Sequence, residues 1–173
     1  EQSIGASLLI TGLDLDVPEK VTAWIKQVET EGVDPNGDPF VDDIAMWRLE
    51  RQLSAGFYYQ WDWPDGVVDL DWVFARRNWH RHCRAELADR RTEGYDSPLL
   101  VSNRLQAELE RLNGRAPNDP LLRAWAAWDA QRGKRWKTPD GHMDSKPPTK
   151  TVWVDPFFVD AVAERIQSHR GPI

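Results

Sequence analysis

Ten tryptophans within 173 residues constrain this chain more than any other feature. Each indole buries a large area and carries a single N–H donor, so tryptophans spaced along helices converge on a shared interior. Trp24, Trp47, Trp72, Trp79, Trp125 and Trp128 all fall in segments of helical periodicity and are expected to hold several helices together. With 40% hydrophobic and 29% charged residues, the chain can fill such a core and keep a polar surface. Its length suits one domain over residues 1–173.

Breakers and apolar periods divide the chain into about six helices. Val21, Trp24, Ile25 and Val28 recur at helical spacing between Pro18, with Asp16 as cap, and Gly32. A turn cluster follows at Asp34-Pro35-Asn36-Gly37-Asp38-Pro39. The second helix begins near Asp42 or Asp43. It carries Ile44, Trp47 and Arg51 down one side, with Ala45, Leu49 and Leu53 beside them, and stops at Gly56. Phe57 to Trp63 (FYYQWDW) reads as extended, before the turn Pro64-Asp65-Gly66.

Asp69 caps the longest helix, expected to run to about Thr92 with Trp72, Ala75, Trp79, Cys83 and Leu87 as its buried stripe. Ser97-Pro98 opens a helix with Val101, Leu105, Leu109 and Leu112 at core spacing and Gly114 beyond its end. Asp119-Pro120 opens the next, carrying Leu121, Leu122, Trp125 and Trp128. Residues 133–150 show no period and are expected to be a long basic loop. Ser7–Thr11 and Thr151–Val154 read as short strands. Asp155-Pro156 starts a last helix, with Val159, Val162 and Ile166 facing inward and Gly171 closing it. The expected fold class is mainly α: an irregular bundle with one or two short strands.

Few chemistries fit. The Gly133-Lys134 pair is followed by Arg135, and Trp128 stands where a phosphate-binding loop needs its upstream glycine. His80, His82 and Cys83 lie close on the long helix, but no second cluster supplies the further ligands a metal requires. Cys83 reads as core, and as the only cysteine it forms no internal disulfide. The carboxylates Asp42, Asp43, Asp69 and Asp71 precede or begin helices, where acids act as caps. No catalytic residue, metal site or cofactor is therefore assigned to this segment. No apolar run reaches the roughly 20 residues a bilayer demands, and Ser7–Thr11 is too short for a signal peptide. The cytoplasm is the expected compartment, with no membrane partner.

The net charge of −6 conceals a split. Residues 1–72 hold 15 acids against 4 bases, and the remainder 13 acids against 18 bases, so the balances are −11 and +5. On the long helix Arg76, Arg77, Arg81, Arg84, Arg90 and Arg91 form an expected outer basic face. Lys134, Arg135, Trp136 and Lys137 interleave cations with an aromatic ring. Guanidinium and ammonium groups meet phosphates while an indole stacks on a base, so DNA is the expected partner. The nucleic-acid candidates are Arg76, Arg77, Arg81, Arg84, Lys134, Arg135, Lys137 and, for stacking, Trp136. The alternative is a solvated charged face.

One series of motifs adds to this reading: Gly56-Phe57-Tyr58-Tyr59, Trp61, then Trp72, Ala75-Arg76 and Trp79 on a helix. Asp96-Ser97-Pro98-Leu99, a tryptophan-bearing helix and Val152-Trp153-Val154-Asp155 follow. The series resembles the region between the two RecA-like lobes of phage and prophage SNF2-like helicases, which are superfamily 2 DNA-dependent ATPases. The resemblance covers nearly all of the chain. It implies a non-catalytic accessory insertion that contacts DNA or couples the motor lobes, with residues 151–173 running into the second lobe. ATP and Mg would bind the flanking lobes rather than this segment. The competing expectation is a stand-alone protein-interaction module, docking through the acidic first third and the aromatics near Phe57–Trp63.

Overall fold

Helix boundaries in the structure, a computed structural model describing residues 14–89, 97–113 and 118–168, fall largely where side-chain caps put them. Helix α1 spans Glu19–Glu31, α2 Asp43–Ser54, α3 Leu70–Asp89, α4 Pro98–Arg111, α5 Pro120–Arg132 and α6 Phe157–Ser168. Asp42 accepts from the Ala45 N–H at 2.7 Å, Asp69 from Trp72 at 3.0 Å and Asp119 from Leu121 at 2.9 Å. Each carboxylate satisfies a donor that the first helical turn leaves unpaired. Helix α1 differs. Pro18 holds its N-cap position without a side-chain bond, and Asp16 stays exposed rather than capping.

The fold is mainly α, with a few short antiparallel strands. Strand β1, Phe57–Trp61, pairs with the last strand of the chain, Thr149–Trp153, in the register Phe57↔Trp153 and Tyr59↔Thr151. Between them, Trp136–Lys137 (β2) and Met143–Asp144 (β3) form a small hairpin, which makes Thr149–Trp153 β4. The stretch 133–150 is thus not a plain loop. Thr138 and His142 bond across a turn closed at Gly141, whose φ is +89°. Strands of two residues are too short to leave a readable period.

Three apolar clusters hold these elements. Helices α3, α4 and α5 pack around Trp79, Cys83, Val101, Leu105, Leu122 and Trp125. Helices α1 and α2 meet β1 over Val28, Phe40, Leu49, Leu53 and Tyr58. Between the two, Trp72 stands among four other indoles: Trp61, Trp63, Trp128 and Trp136, with ring centroids 5.4–5.8 Å away. The interplanar angles of 68–85° are the edge-to-face arrangement that aromatic quadrupoles favour.

Two helices depart from their expected faces. On α2, Ile44 and Trp47 point to solvent, while Leu49 and Leu53 enter the core. Trp47 therefore holds no helices together; Arg51 lies over its ring at 4.9 Å. On α6, Val159, Val162 and Ile166 are exposed rather than inward, and so is Phe158. Asp155 accepts from the Phe157 N–H at the start of α6, and Gly56 anchors the turn before it. At its φ of +88° the carbonyl accepts from the Val154 and Asp155 N–H groups, and a Cβ there would lie 1.8 Å from the Asp155 carbonyl oxygen. The expected strand Ser7–Thr11, the helix end at Arg90, Arg91 and Thr92, and Asp96, Gly114 and Gly171 lie outside the described residues.

Candidate functional site

The turn Asp34–Pro39 organises the centre of the molecule. Asp34 Oδ1 accepts from the N–H groups of Asn36 and Asp38, each at 2.9 Å, and Gly37 takes a φ of +78° to close the loop. The turn then presents two side chains, Asn36 and Asp38, and the Pro39 carbonyl to neighbouring elements. Asn36 covers the free edge of β1, donating to the Tyr59 carbonyl and accepting from the Trp61 N–H. The Pro39 carbonyl accepts from His80 Nδ1 at 2.9 Å. Asp38, with its side chain only 3% exposed, bonds the guanidinium groups of both Arg76 and Arg77.

Ion pairs between the two parts of the chain absorb some of the charge split seen in the sequence. Asp38 takes Arg76 and Arg77, Asp43 takes Arg84, and Asp69 takes Lys134 at 2.6 Å. Lys150 approaches Asp62 at 3.9 Å, and Lys20 reaches back to Asp155 at 2.8 Å. Four acids of residues 1–72, Asp38, Asp43, Asp62 and Asp69, thus hold bases of the remainder, while the Lys20–Asp155 pair runs in the opposite sense. Burial lowers the Arg76 pKa from its ordinary value, against the opposing pull of Asp38 and Asp34. The Asp34 carboxyl is raised, chiefly by burial. Burial also pushes the Asp69 carboxyl up, but the Lys134 ammonium and the Trp72 N–H outweigh it and hold the pKa low. His80 falls to about 4, because burial and the Arg76 charge both oppose protonation. Burial pushes the Cys83 thiol up to about 12, leaving it an inert core group.

The eight nucleic-acid candidates do not come together as one stripe. Arg76 and Arg77 turn inward to Asp38 instead of forming an outer face, and Arg76 also lies over the Trp61 and Trp72 rings. Arg84 and Lys134 sit in ion pairs. Trp136 is 8% exposed and forms one wall of the tryptophan cluster, so it offers no open face to a base. Arg81, Arg135 and Lys137 remain, exposed and without a carboxylate partner among the described residues. Arg81 and the Lys134 site at Asp69 are separated by about 18 Å along the axis of α3.

A second surface includes part of the aromatic run Phe57–Trp63 that the sequence offered for docking, and adds Trp153 and the α6 row that it did not. On one face of the β1–β4 ribbon, Phe57 packs on Tyr59 and on Trp153 with centroids 5.6 and 5.4 Å apart, and Tyr59 and Trp153 are both about half exposed. Helix α6 follows directly and presents Phe158, Val159, Val162 and Ile166. The period-2 alternation of Phe57-Tyr58-Tyr59 was the available signal: Tyr58 goes into the core, and its neighbours must face away.

No group of three or more His, Cys, Asp or Glu side chains fit to hold a metal ion occurs among the described residues. No helix among them is long and apolar enough to cross a membrane. Neither a protein-family model, nor a curated protein, nor a solved structure matches this chain.

Proposed function

We propose that this chain is a non-catalytic helical accessory module of an SNF2-like DNA motor, working in the cytoplasm by coupling the motor lobes. The observation that carries this reading is the row Phe158, Val159, Val162 and Ile166, exposed on a helix that directly follows β4. An amphipathic helix with its apolar side in water needs cover. The motif resemblance places that same segment at the run-in to the second RecA-like lobe, which would supply it. The rigid centre supports the reading too. A module that transmits position between lobes must not deform, and the tryptophan cluster and the Asp38 ion pairs tie its two halves together.

The coding sequence on either side of the chain tests the motor context. A phosphate-binding loop upstream and a RecA-like core strand soon after Ile173 are expected. A reading frame that lacks both overturns the proposal. In the complete polypeptide, replacing Val162 and Ile166 by Ser is expected to uncouple DNA binding from ATP turnover while leaving the ATP site intact.

Direct DNA contact would have to come from Arg81, Arg135 and Lys137. Three cations imply that log affinity for single strands falls with log salt at a slope of about −2, where all seven candidate cations would give about −5. A titration across salt concentrations separates the two. The same module serves as a protein-interaction unit if its apolar row docks a partner other than a motor lobe. The aromatic face of β1 and β4 favours that second reading.

A further inference from the structure

The ribbon of β1 and β4 has two outer edges, and the fold treats them differently. The Asp62 N–H bonds the Pro148 carbonyl and the Val154 N–H the Gly56 carbonyl, each at 2.8 Å, which sets the phase of the ladder. In the register Tyr58↔Val152 and Gln60↔Lys150, the even-numbered residues therefore bond across the ribbon. The odd-numbered residues turn their backbone groups outward. On the β1 side Asn36 meets them, holding the Tyr59 carbonyl and the Trp61 N–H. On the β4 side the N–H and C=O groups of Thr149, Thr151 and Trp153 have no partner among the described residues. Four of the five β4 residues are exposed, so this edge is open to an incoming strand.

The strand that fits this edge is β4 itself. Set antiparallel to a second copy about a two-fold axis at Thr151, Thr151 faces Thr151, Thr149 faces Trp153 and Lys150 faces Val152. Every outward N–H of one copy then meets an outward carbonyl of the other. Threonine opposite threonine is a favourable cross-strand pair. Lys150, the one charged residue of β4, lies 3.9 Å from Asp62 of its own chain. The same register keeps it clear of Lys150 of the second copy. An axis one residue earlier would set the two ammonium groups directly opposite each other, which is unfavourable.

We propose that β4 joins β4 of a second copy edge to edge, making a four-stranded antiparallel sheet in the order β1–β4–β4–β1. Residues facing one another in such a sheet share a side, so the aromatic groups Phe57, Tyr59 and Trp153 of both copies line one continuous face. An edge of five residues is about 17 Å long and falls short of the roughly 1,200 Å² that stable complexes bury. The pair is therefore transient, with a dissociation constant on the order of 50 µM. The proposal goes beyond the coupling of motor lobes and does not depend on it, because the α6 row takes no part.

Sedimentation of the full chain from about 5 to about 500 µM tests for the pair, with amide hydrogen exchange measured over the same range. A monomer–dimer equilibrium is expected, and the Thr149, Thr151 and Trp153 amides should exchange more slowly as dimer forms. Thr151→Pro removes the N–H at the two-fold axis, which bonds nothing within its own chain, and an edge strand tolerates proline there. It should weaken association roughly tenfold or more and leave the melting temperature unchanged. Thr151→Lys sets like charges opposite each other and should weaken association about fivefold at low salt, less at high salt. Should Thr151→Pro lower the melting temperature, Thr151→Lys gives the same reading from an exposed side chain. A chain that stays monomeric throughout overturns the proposal, as does a dimer whose three amides exchange as fast as in the monomer. So does a dimer lost in Ile166→Ser but kept in Thr151→Pro, since α6 would then be the contact.

Discussion

Helices α3 and α6 both carry apolar residues at helical spacing, yet they end in opposite surroundings. Helix α3 is covered by α4 and α5, by the indoles of Trp61, Trp63, Trp128 and Trp136, and by the turn that presents Asp38. Helix α6 is tied at its start by Asp155 to Lys20 and by Gly56, and beyond that its apolar residues face solvent. A stripe of apolar residues shows that a helix needs cover; it does not say whether the same chain supplies it. The difference separates what stabilises this molecule from what it offers to others.

Substitutions that break the comparison should act very unequally. Trp72→Ala empties the centre of five indoles and should cost about 4 kcal/mol in urea unfolding, cavity included. A loss under about 1 kcal/mol would mean that the cluster is not structural. Asp38→Ala leaves two guanidinium groups, one of them largely buried, without their carboxylate. A loss of about 3 kcal/mol is expected in the same assay, and the paired change with Arg76→Met should recover part of it.

The next effect is a pH dependence. His80 takes up its proton near pH 4 in the folded protein but near 6.5 in the unfolded chain. The folded pKa is the lower one, so the contribution of this group is complete above about pH 6.5 and is lost as pH falls toward about 4, roughly 3 kcal/mol in all. Unfolding at a series of pH values should show that decline in the native protein and a flatter profile in His80→Asn. Equal slopes in the two proteins would remove His80 as the cause. Smallest of all, Ile166→Ser on α6 should change stability by less than about 0.5 kcal/mol, as exposed positions do. A loss comparable to that of Trp72→Ala would show that α6 is covered in solution and that its row is no docking element.

Much of the fold was legible because its signals are local. Asp42, Asp69, Ser97 and Asp119 mark helix starts through bonds that reach two or three residues along the chain. Val101, Leu105 and Leu109 mark a core face by spacing alone. The aromatic run Phe57–Trp61 is a strand, as its composition indicates. The candidate site was far less legible. Arg76, Arg81 and Arg84 look alike in sequence, all on one basic helix, but one meets a buried aspartate 38 positions away, one meets Asp43 and one meets solvent. Trp136 sits among cations in the sequence, as a stacking residue would, yet its neighbours in space are other tryptophans.

The sequence by itself determined the six helices, most of their caps, and the abundance of indole that makes a tryptophan core unavoidable. Only the tertiary structure decided which charges remain free and which apolar row remains bare. Capping and periodicity act within one or two turns of backbone, where residue identity suffices. Ion pairing and burial depend on which distant element arrives opposite a side chain, and that follows from packing of the whole chain.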